Sequence, residues 1–171
     1  MDSLSIESHP FKPVYDADSK VLVLGSFPSQ ASRKDGFYYA HPTNRFWKVI
    51  CKITGGEVPT TIEEKKKLLY SNNIALWDVV FSCCVKASSD SSITDIVPVD
   101  LAPVIDGSSI SKVLCNGALS YKLYRKYFQS SHKIAAFKLP STSAANARMS
   151  LEELAIIWEK AFAQNQKLHS F

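Results

Sequence analysis

Four short, mostly apolar runs constrain the fold of this chain more than any other feature. They cover residues 20–25, 73–80, 111–115 and 133–139, and their length and composition predict buried β-strands. Segments with helical patterns separate them, and strands that alternate with helices predict a parallel sheet covered on both faces. We therefore expect an α/β fold of three layers, α/β/α, with a central, mostly parallel four-stranded sheet.

Helix signals fall between and after these strands. Thr61 and Ser150 are each followed three residues later by Glu, a capping-box pattern that predicts a helix start. Further helices are expected over 44–54 and 117–128, and a polar, Ser-rich loop is expected from Val80 to about Ser92. The 171 residues fit a single domain, 1–171, with residues 1–19 as an N-terminal extension.

Composition argues against several classes of protein. No run of 18 apolar residues occurs, so no membrane span is expected, and residues 1–10 lack a secretory signal pattern. We expect a cytoplasmic protein, nucleoid-associated if prokaryotic. The net charge of +4 permits nucleic-acid binding without indicating it. The four cysteines lack C-x-x-C spacing and are expected to be buried free thiols rather than metal ligands: Cys51, Cys83, Cys84 and Cys115.

Polar residues collect where the predicted strands end. In parallel sheets the ligand site lies beyond these carboxyl ends. The stretch 25–30 matches neither a dinucleotide fingerprint nor a P-loop, and Pro28 removes a backbone N–H that a phosphate cradle would use. No G-x-S-x-G elbow occurs, so a hydrolase triad is not supported. No cofactor and no metal are expected.

The segment 35–50 combines five aromatic residues with an Asn, an Arg and a His-Pro pair. Aromatic rings stack on flat heterocycles, while amides and backbone groups read their edges. Short Ser/Thr/Pro loops can also hold phosphates through backbone N–H groups without much net charge. These residues alone leave open an enzyme or a non-catalytic nucleotide- or nucleic-acid-binding domain.

Five blocks, each at a predicted strand end or helix start, resemble the uracil-DNA glycosylase superfamily. The middle block, 39–47, is similar to the mismatch-specific uracil/thymine glycosylases, and the others look more like the hypoxanthine-DNA (deoxyinosine) glycosylase branch. Phe27 and Ser141 stand where the mismatch-specific enzymes carry Asn. The blocks are 25–29 (GSFPS), 39–47 (YAHPTNRFW), 75–78 (ALWD), 116–117 (NG) and 139–146 (LPSTSAAN).

The resemblance implies a catalytic role for Asn44, which would orient the water that attacks C1′ of the sugar. The alternative is that Asn44 caps the following helix, since Asn is a favoured N-cap. Tyr39 would stack on the extruded base, with Phe27 as a second pocket wall. Asp78 would accept the N1–H of hypoxanthine, a proton that adenine lacks, unless it is an ordinary loop aspartate. Asn116 would contact the base or a phosphate unless Asn-Gly is only a turn.

The same resemblance implies DNA contacts at two Ser-rich loops. The expected DNA-binding residues are Ser26, Pro28, Ser29, Ser141, Thr142 and Ser143. The function expected is that of a monomeric, monofunctional DNA glycosylase acting in base excision repair on DNA that contains a deaminated base, most readily hypoxanthine. A uracil mismatch glycosylase and a non-catalytic nucleotide- or nucleic-acid-binding domain are the alternatives.

Overall fold

The computed structural model describes residues 3–86 and 89–164. In chain order the elements are β1 (Leu4–Ser8), β2 (Val21–Gly25), α1 (Gln30–Asp35), α2 (Phe46–Thr54), α3 (Ile62–Ser71), β3 (Ile74–Asp78), β4 (Val80–Lys86), β5 (Ser89–Pro98), α4 (Ala102–Asp106), β6 (Lys112–Asn116), α5 (Ala118–Tyr127), β7 (Ala135–Leu139) and α6 (Leu151–Ala163).

The central sheet has four parallel strands in the order β3-β2-β6-β7. Its strands agree with the four apolar runs to within two residues at each end, so the predicted sheet is confirmed. In register, Gly25 of β2 lies beside Asp78 of β3, and Asn116 of β6 lies beside Leu139 of β7. All four carboxyl ends therefore meet at one edge of the sheet.

Helices cover both faces of this sheet, which confirms the three-layer architecture. One face packs against α2, α3 and α6 through a core that includes Phe46, Trp47, Leu69, Leu154 and Trp158. The other packs against α4, α5 and strand β4 through Leu22, Leu24, Val85, Val104, Leu123 and Tyr124. Both capping boxes are present, so α3 and α6 begin as predicted. Helix α2 begins at Phe46 rather than at residue 44.

The prediction of a polar loop after Val80 was wrong. This stretch forms β4 and the start of β5, which join β1 in an antiparallel sheet of order β1-β4-β5, while residues 87 and 88 lie outside the described residues. Cys83 and Val85 are buried and alternate with more exposed neighbours, which is the period of a half-buried strand. Ser82 and Ser92 are accommodated because the other face of an antiparallel sheet can be solvated.

The N-terminal segment contributes to both sheets. Strand β1 pairs with β4, and Val14 forms a backbone bridge with Leu76 in β3. Residues expected to precede the fold therefore lie against the strands that carry the site. Within 3–86 and 89–164, no helix is both long enough and apolar enough to span a membrane. Cys51, Cys83 and Cys115 are buried as predicted, whereas Cys84 is partly exposed.

Candidate active site

A pocket of about 460 Å³ opens at the carboxyl edge of the central sheet. All eleven residues proposed from the sequence line it: Ser26, Phe27, Pro28, Ser29, Tyr39, Asn44, Asp78, Asn116, Ser141, Thr142 and Ser143. The structure thus brings together five segments that are distant in the chain. The remaining seven lining residues are Gly25, Ser32, Tyr38, His41, Thr43, Ala144 and Ala145.

Gly25 makes room for the polar groups at the floor of the pocket. A Cβ at this position would lie too close to Oδ1 of Asp78 and 3.0 Å from the hydroxyl of Tyr39. Gly25 therefore lets a carboxylate and a phenol approach the end of β2 together. Asp78 is only 4% exposed, and its position at the end of β3 fixes its backbone beside Gly25.

Asp78 has one partner that was not anticipated from the sequence. Nε2 of His9 lies 2.8 Å from Oδ2 of the carboxylate, and both side chains are almost completely buried. His9 follows β1, and its backbone N–H donates to the carbonyl of Phe81 in β4. No spacing rule could have found this pair, because 69 residues and an unpredicted sheet separate its members.

Tyr39 stands on the wall of the pocket. Its ring stacks on Phe46 with centroids 4.1 Å apart, so one face is covered and the ring still borders the pocket. Its backbone has φ of 52°, a left-handed conformation that is uncommon outside glycine. Burial raises the pKa of the Tyr39 hydroxyl most, and the charge of Asp78 raises it further. Asn116 lowers this pKa by a smaller amount. The hydroxyl therefore stays protonated, and it is buried without a partner in hydrogen-bonding geometry among the described residues.

The other aromatic residues of 35–50 belong to the core. Phe37, Tyr38, Phe46 and Trp47 are at most 5% exposed. Nε1 of Trp47 donates to the carbonyl of Tyr38, and the Tyr38 hydroxyl donates to the carbonyl of Lys12. These bonds hold the segment in place on both sides of Tyr39.

The amide of Asn44 has its two ends in different environments. Oδ1 accepts the backbone N–H of Phe46 at 2.9 Å and the hydroxyl of Thr142 at 2.9 Å. A carbonyl oxygen has two lone pairs, so these bonds fill its acceptor capacity. Nδ2 has no partner among the described residues, and the side chain lines the pocket. One residue thus makes the cap-like contact with α2 and still presents an N–H donor to the pocket.

Thr142 connects Asn44 to Asn116. Its hydroxyl accepts from Nδ2 of Asn116 at 3.0 Å, and its backbone N–H donates to Oδ1 of Asn116 at 3.0 Å. Thr142 is 0% exposed. The geometry therefore favours a positioning role for Thr142 and for most of the Asn116 amide over the DNA and base contacts expected from the sequence.

Arg45 fixes the late loop, which we define as residues 140–150. Its guanidinium donates to the carbonyls of Ser143 and Asn146, each at 2.9 Å, and to that of Met149. Its backbone N–H and Nε both donate to the carbonyl of Thr142. From the other end, Nε1 of Trp158 donates to the carbonyl of Pro140. Only a planar, five-donor side chain can satisfy so many carbonyls together, so Arg45 determines the shape of this loop.

The opposite rim is formed by the loop after β2. The hydroxyl of Ser29 accepts the N–H of Ser32 and caps α1. Arg33 donates to the carbonyl of Pro28 and lies over the ring of Phe27, 5.4 Å from its centroid. Phe27 is thereby held as an apolar part of the pocket lining. The pocket combines aromatic side chains, one carboxylate and several neutral polar groups, which suits a planar heterocycle.

Comparison with known proteins identifies a family model and two relatives that match most of this chain. Residues 12–162 match the family model of the uracil DNA glycosylase superfamily. The chain is 32% identical over 161 residues to a hypoxanthine DNA glycosylase of Methanosarcina barkeri, and 33% identical over 156 residues to one of Methanosarcina acetivorans. Each alignment covers 89% of this chain and 96% of the relative.

A solved structure shows the same fold. The solution NMR structure of a proposed uracil DNA glycosylase from Methanosarcina acetivorans superposes with a TM-score of 0.77 at 28% identity. The match covers 92% of this chain and 99% of that one. The resemblance inferred from the five sequence blocks is confirmed.

Proposed function

Because this chain belongs to the uracil DNA glycosylase superfamily, we propose that it is a DNA glycosylase that excises hypoxanthine, the deamination product of adenine. Two relatives that align along almost their whole length are hypoxanthine DNA glycosylases. The proposal does not rest on the comparisons alone, since the pocket offers groups that match this base.

The position of Asp78 is the observation that carries the preference for a deaminated base over adenine. Its carboxylate lies on the floor of the pocket, next to Gly25, with Oδ2 bonded to His9. Oδ1 is then the acceptor available to a ligand. Hypoxanthine has an N1–H that can donate to it, whereas adenine has an N1 lone pair that would oppose it. Sites built to hydrogen-bond one group reject an analogue that lacks it by up to about 10⁴-fold.

The base reaches this floor only after it leaves the duplex, which costs roughly a few kcal/mol. Tyr39 offers a preformed stacking face because Phe46 already holds its ring from behind. Phe27 also lines the pocket and supplies a second apolar surface for the base in this proposal. Base–aromatic stacking returns about 1–3 kcal/mol per base and so offsets the cost of flipping.

Cleavage breaks the bond between C1′ and N9 of the base. Positive charge develops on the sugar and negative charge on the base, whose lactam can carry it on O6. The Nδ2–H of Asn44 can donate to the attacking water, and the second lone pair of the water oxygen remains directed at C1′. A neutral amide holds the water without forming a bond to the cationic sugar, so the reaction stays hydrolytic. As the water oxygen bonds to C1′ it loses a proton to solvent, and the departing base anion takes up a proton, so the products are an abasic sugar and neutral hypoxanthine.

In this proposal, DNA is bound by the loops on both sides of the pocket. Ser26, Pro28 and Ser29 lie on one rim, and Ser141 and Ser143 lie on the other. Beyond Ser143, the late loop exposes Ala144, Ala145, Ala147 and Arg148 at its tip, where small side chains can enter the base stack. We propose that the chain acts as one domain and as a monomer on genomic DNA.

Uracil is the second candidate base. Its N3–H can donate to Asp78 in the same way, so the carboxylate alone does not separate the two bases. Phe27 and Ser141 occupy positions at which the resembled mismatch-specific enzymes carry amides, which favours hypoxanthine here. A domain that binds the base without cleaving it would share the same pocket.

One experiment separates these functions. Duplexes that contain hypoxanthine, uracil, xanthine or only normal bases are incubated with the protein, and abasic sites are then cleaved with alkali. Strand breaks at hypoxanthine support the proposal, and breaks at uracil alone support the second candidate. Tight binding without breaks would show a non-catalytic domain. Asp78→Asn is the matched variant, because it keeps the volume and removes the negative acceptor; we expect it to lower hypoxanthine excision.

A further inference from the structure

The N-terminal segment carries a side chain to the site from outside the five glycosylase-like sequence blocks. His9 follows β1, and its backbone N–H donates to the carbonyl of Phe81 at 2.7 Å, which continues the pairing of β1 with β4. The imidazole is turned inward, with only 2% of its side chain exposed. Its Nε2 lies 2.8 Å from Oδ2 of Asp78.

The surroundings of the ring indicate which nitrogen carries the proton. Phe11 lies edge-on with centroids 4.8 Å apart, and Tyr38 and Phe27 follow at 5.9 Å and 6.3 Å. Nδ1 is buried without a hydrogen-bond partner among the described residues. A proton on Nδ1 would leave a buried N–H unsatisfied, whereas a proton on Nε2 donates directly to the carboxylate.

Because of this contact, the two carboxylate oxygens of Asp78 have different surroundings. Oδ2 receives the N–H of His9, and Oδ1 lies over Gly25 near the Tyr39 hydroxyl, at the floor of the pocket. Without the bond from His9 the carboxylate could rotate about its Cβ–Cγ bond. This rotation would move the acceptor oxygen away from the position that the base edge needs.

We propose that His9 is a positioning residue for base recognition: its Nε2–H holds the Asp78 carboxylate in the orientation in which Oδ1 receives the N–H of a lactam base. This rests on the proposed function. The antiparallel sheet β1-β4-β5 then has a role in base selectivity, because it positions His9 beside Asp78. The five sequence blocks line the pocket, and His9, which lies outside them, orients the Asp78 carboxylate.

Two variants separate this role from simple packing. His9→Gln keeps an N–H donor at a similar reach, whereas His9→Phe keeps a planar ring and removes the donor. Thermal unfolding first establishes that both are folded. We expect His9→Phe to lower kcat/KM for a hypoxanthine duplex by at least about tenfold and to reduce the preference for binding hypoxanthine over adenine. His9→Gln should recover most of both. A folded His9→Phe protein with unchanged excision and preference, or equal losses in both variants, would overturn the proposal.

A second measurement does not depend on activity. Nitrogen-15 NMR of the imidazole in the wild-type protein reports which ring nitrogen is protonated. We expect a protonated Nε2 and a bare Nδ1, with the Nε2–H signal shifted by Asp78→Asn. A proton found on Nδ1 alone would contradict the role of His9 even if neither variant folds. If the wild-type protein excises no base, the proposed function fails, while this spectrum still tests the contact.

Discussion

The hydroxyl of Thr142 donates to Oδ1 of Asn44 over 2.9 Å, and this bond determines which end of the amide faces the pocket. The backbone N–H of Phe46 occupies the same oxygen. Arg45 is the N-cap of α2 and its side chain makes no cap bond, so the Asn44 oxygen makes a cap-like contact one residue earlier. In the proposed function the nitrogen of the same amide is the end available to the attacking water.

The different environments of the Asn44 oxygen and nitrogen predict a specific outcome for Asn44→Asp. Aspartate has the same shape and still accepts from Phe46 and Thr142, so the fold and the thermal midpoint should change little. The donor is lost, and we expect single-turnover excision of hypoxanthine to fall by about 10²- to 10³-fold, as when one transition-state donor is removed. Asn44→Ala is the comparison, since it removes both ends and should also destabilise the start of α2. Full activity in Asn44→Asp would show that the nitrogen has no part in catalysis.

Gly25→Ala tests the floor of the pocket. The added methyl group would collide with Oδ1 of Asp78 and press on the Tyr39 hydroxyl. The carboxylate cannot move freely because His9 holds its other oxygen. A misplacement of about 1 Å near the reacting atoms can cost about 10²-fold in rate. We expect a loss of that order in hypoxanthine excision, and undiminished excision would show that the carboxylate does not read the base from this position.

Arg45→Lys tests the support of the late loop. One ammonium cannot replace the guanidinium bonds to four carbonyls. Loss of a hydrogen bond from a charged donor costs about 1.5–3 kcal/mol, so backbone amides of 141–149 should exchange hydrogen faster and binding to lesion duplexes should weaken. Hydrogen exchange read by mass spectrometry checks the first effect. Lys48→Arg is the control, because Lys48 is exposed on α2. Unchanged exchange in Arg45→Lys would remove Arg45 from this role.

The buried thiol of Cys115 leads us to expect a change in the free energy of unfolding at alkaline pH. Burial raises the pKa of its thiol from 9.0 to about 12 in the folded protein. A group whose pKa is raised on folding favours the folded state below its unfolded pKa, and this contribution declines as pH rises toward the folded pKa. The free energy of unfolding should therefore fall between about pH 9 and pH 12. Denaturant titrations should show a shallower decline over the lower part of this window for Cys115→Ala. An identical slope in both proteins would contradict the assignment.

The central sheet could be predicted because each strand is a local apolar run with a clear end. Gly25, Asp78 and Asn116 could be assigned to one edge for the same reason, since parallel strands align their carboxyl ends. The catalytic assignment of Asn44 remains a prediction, although its place in the pocket is now defined.

What could not be predicted depends on contacts between distant segments. The strand β4 has a weak alternating pattern rich in Ser and Cys, and it becomes a strand only because β1 and β5 pair with it. His9 reaches Asp78 through that pairing. The resemblance implies a DNA contact for Thr142, whereas the burial of this side chain and its bonds to two asparagines direct it inward.

The central claim concerns which base leaves the DNA, and the free base itself is the most direct evidence. A duplex with one hypoxanthine is incubated with excess protein, and the small-molecule fraction is analysed by mass spectrometry beside an otherwise identical duplex that carries adenine. We predict one equivalent of free hypoxanthine per duplex, an abasic site in the strand, and no adenine from the control. Release of no base, or of uracil alone from a matched uracil duplex, would contradict the account.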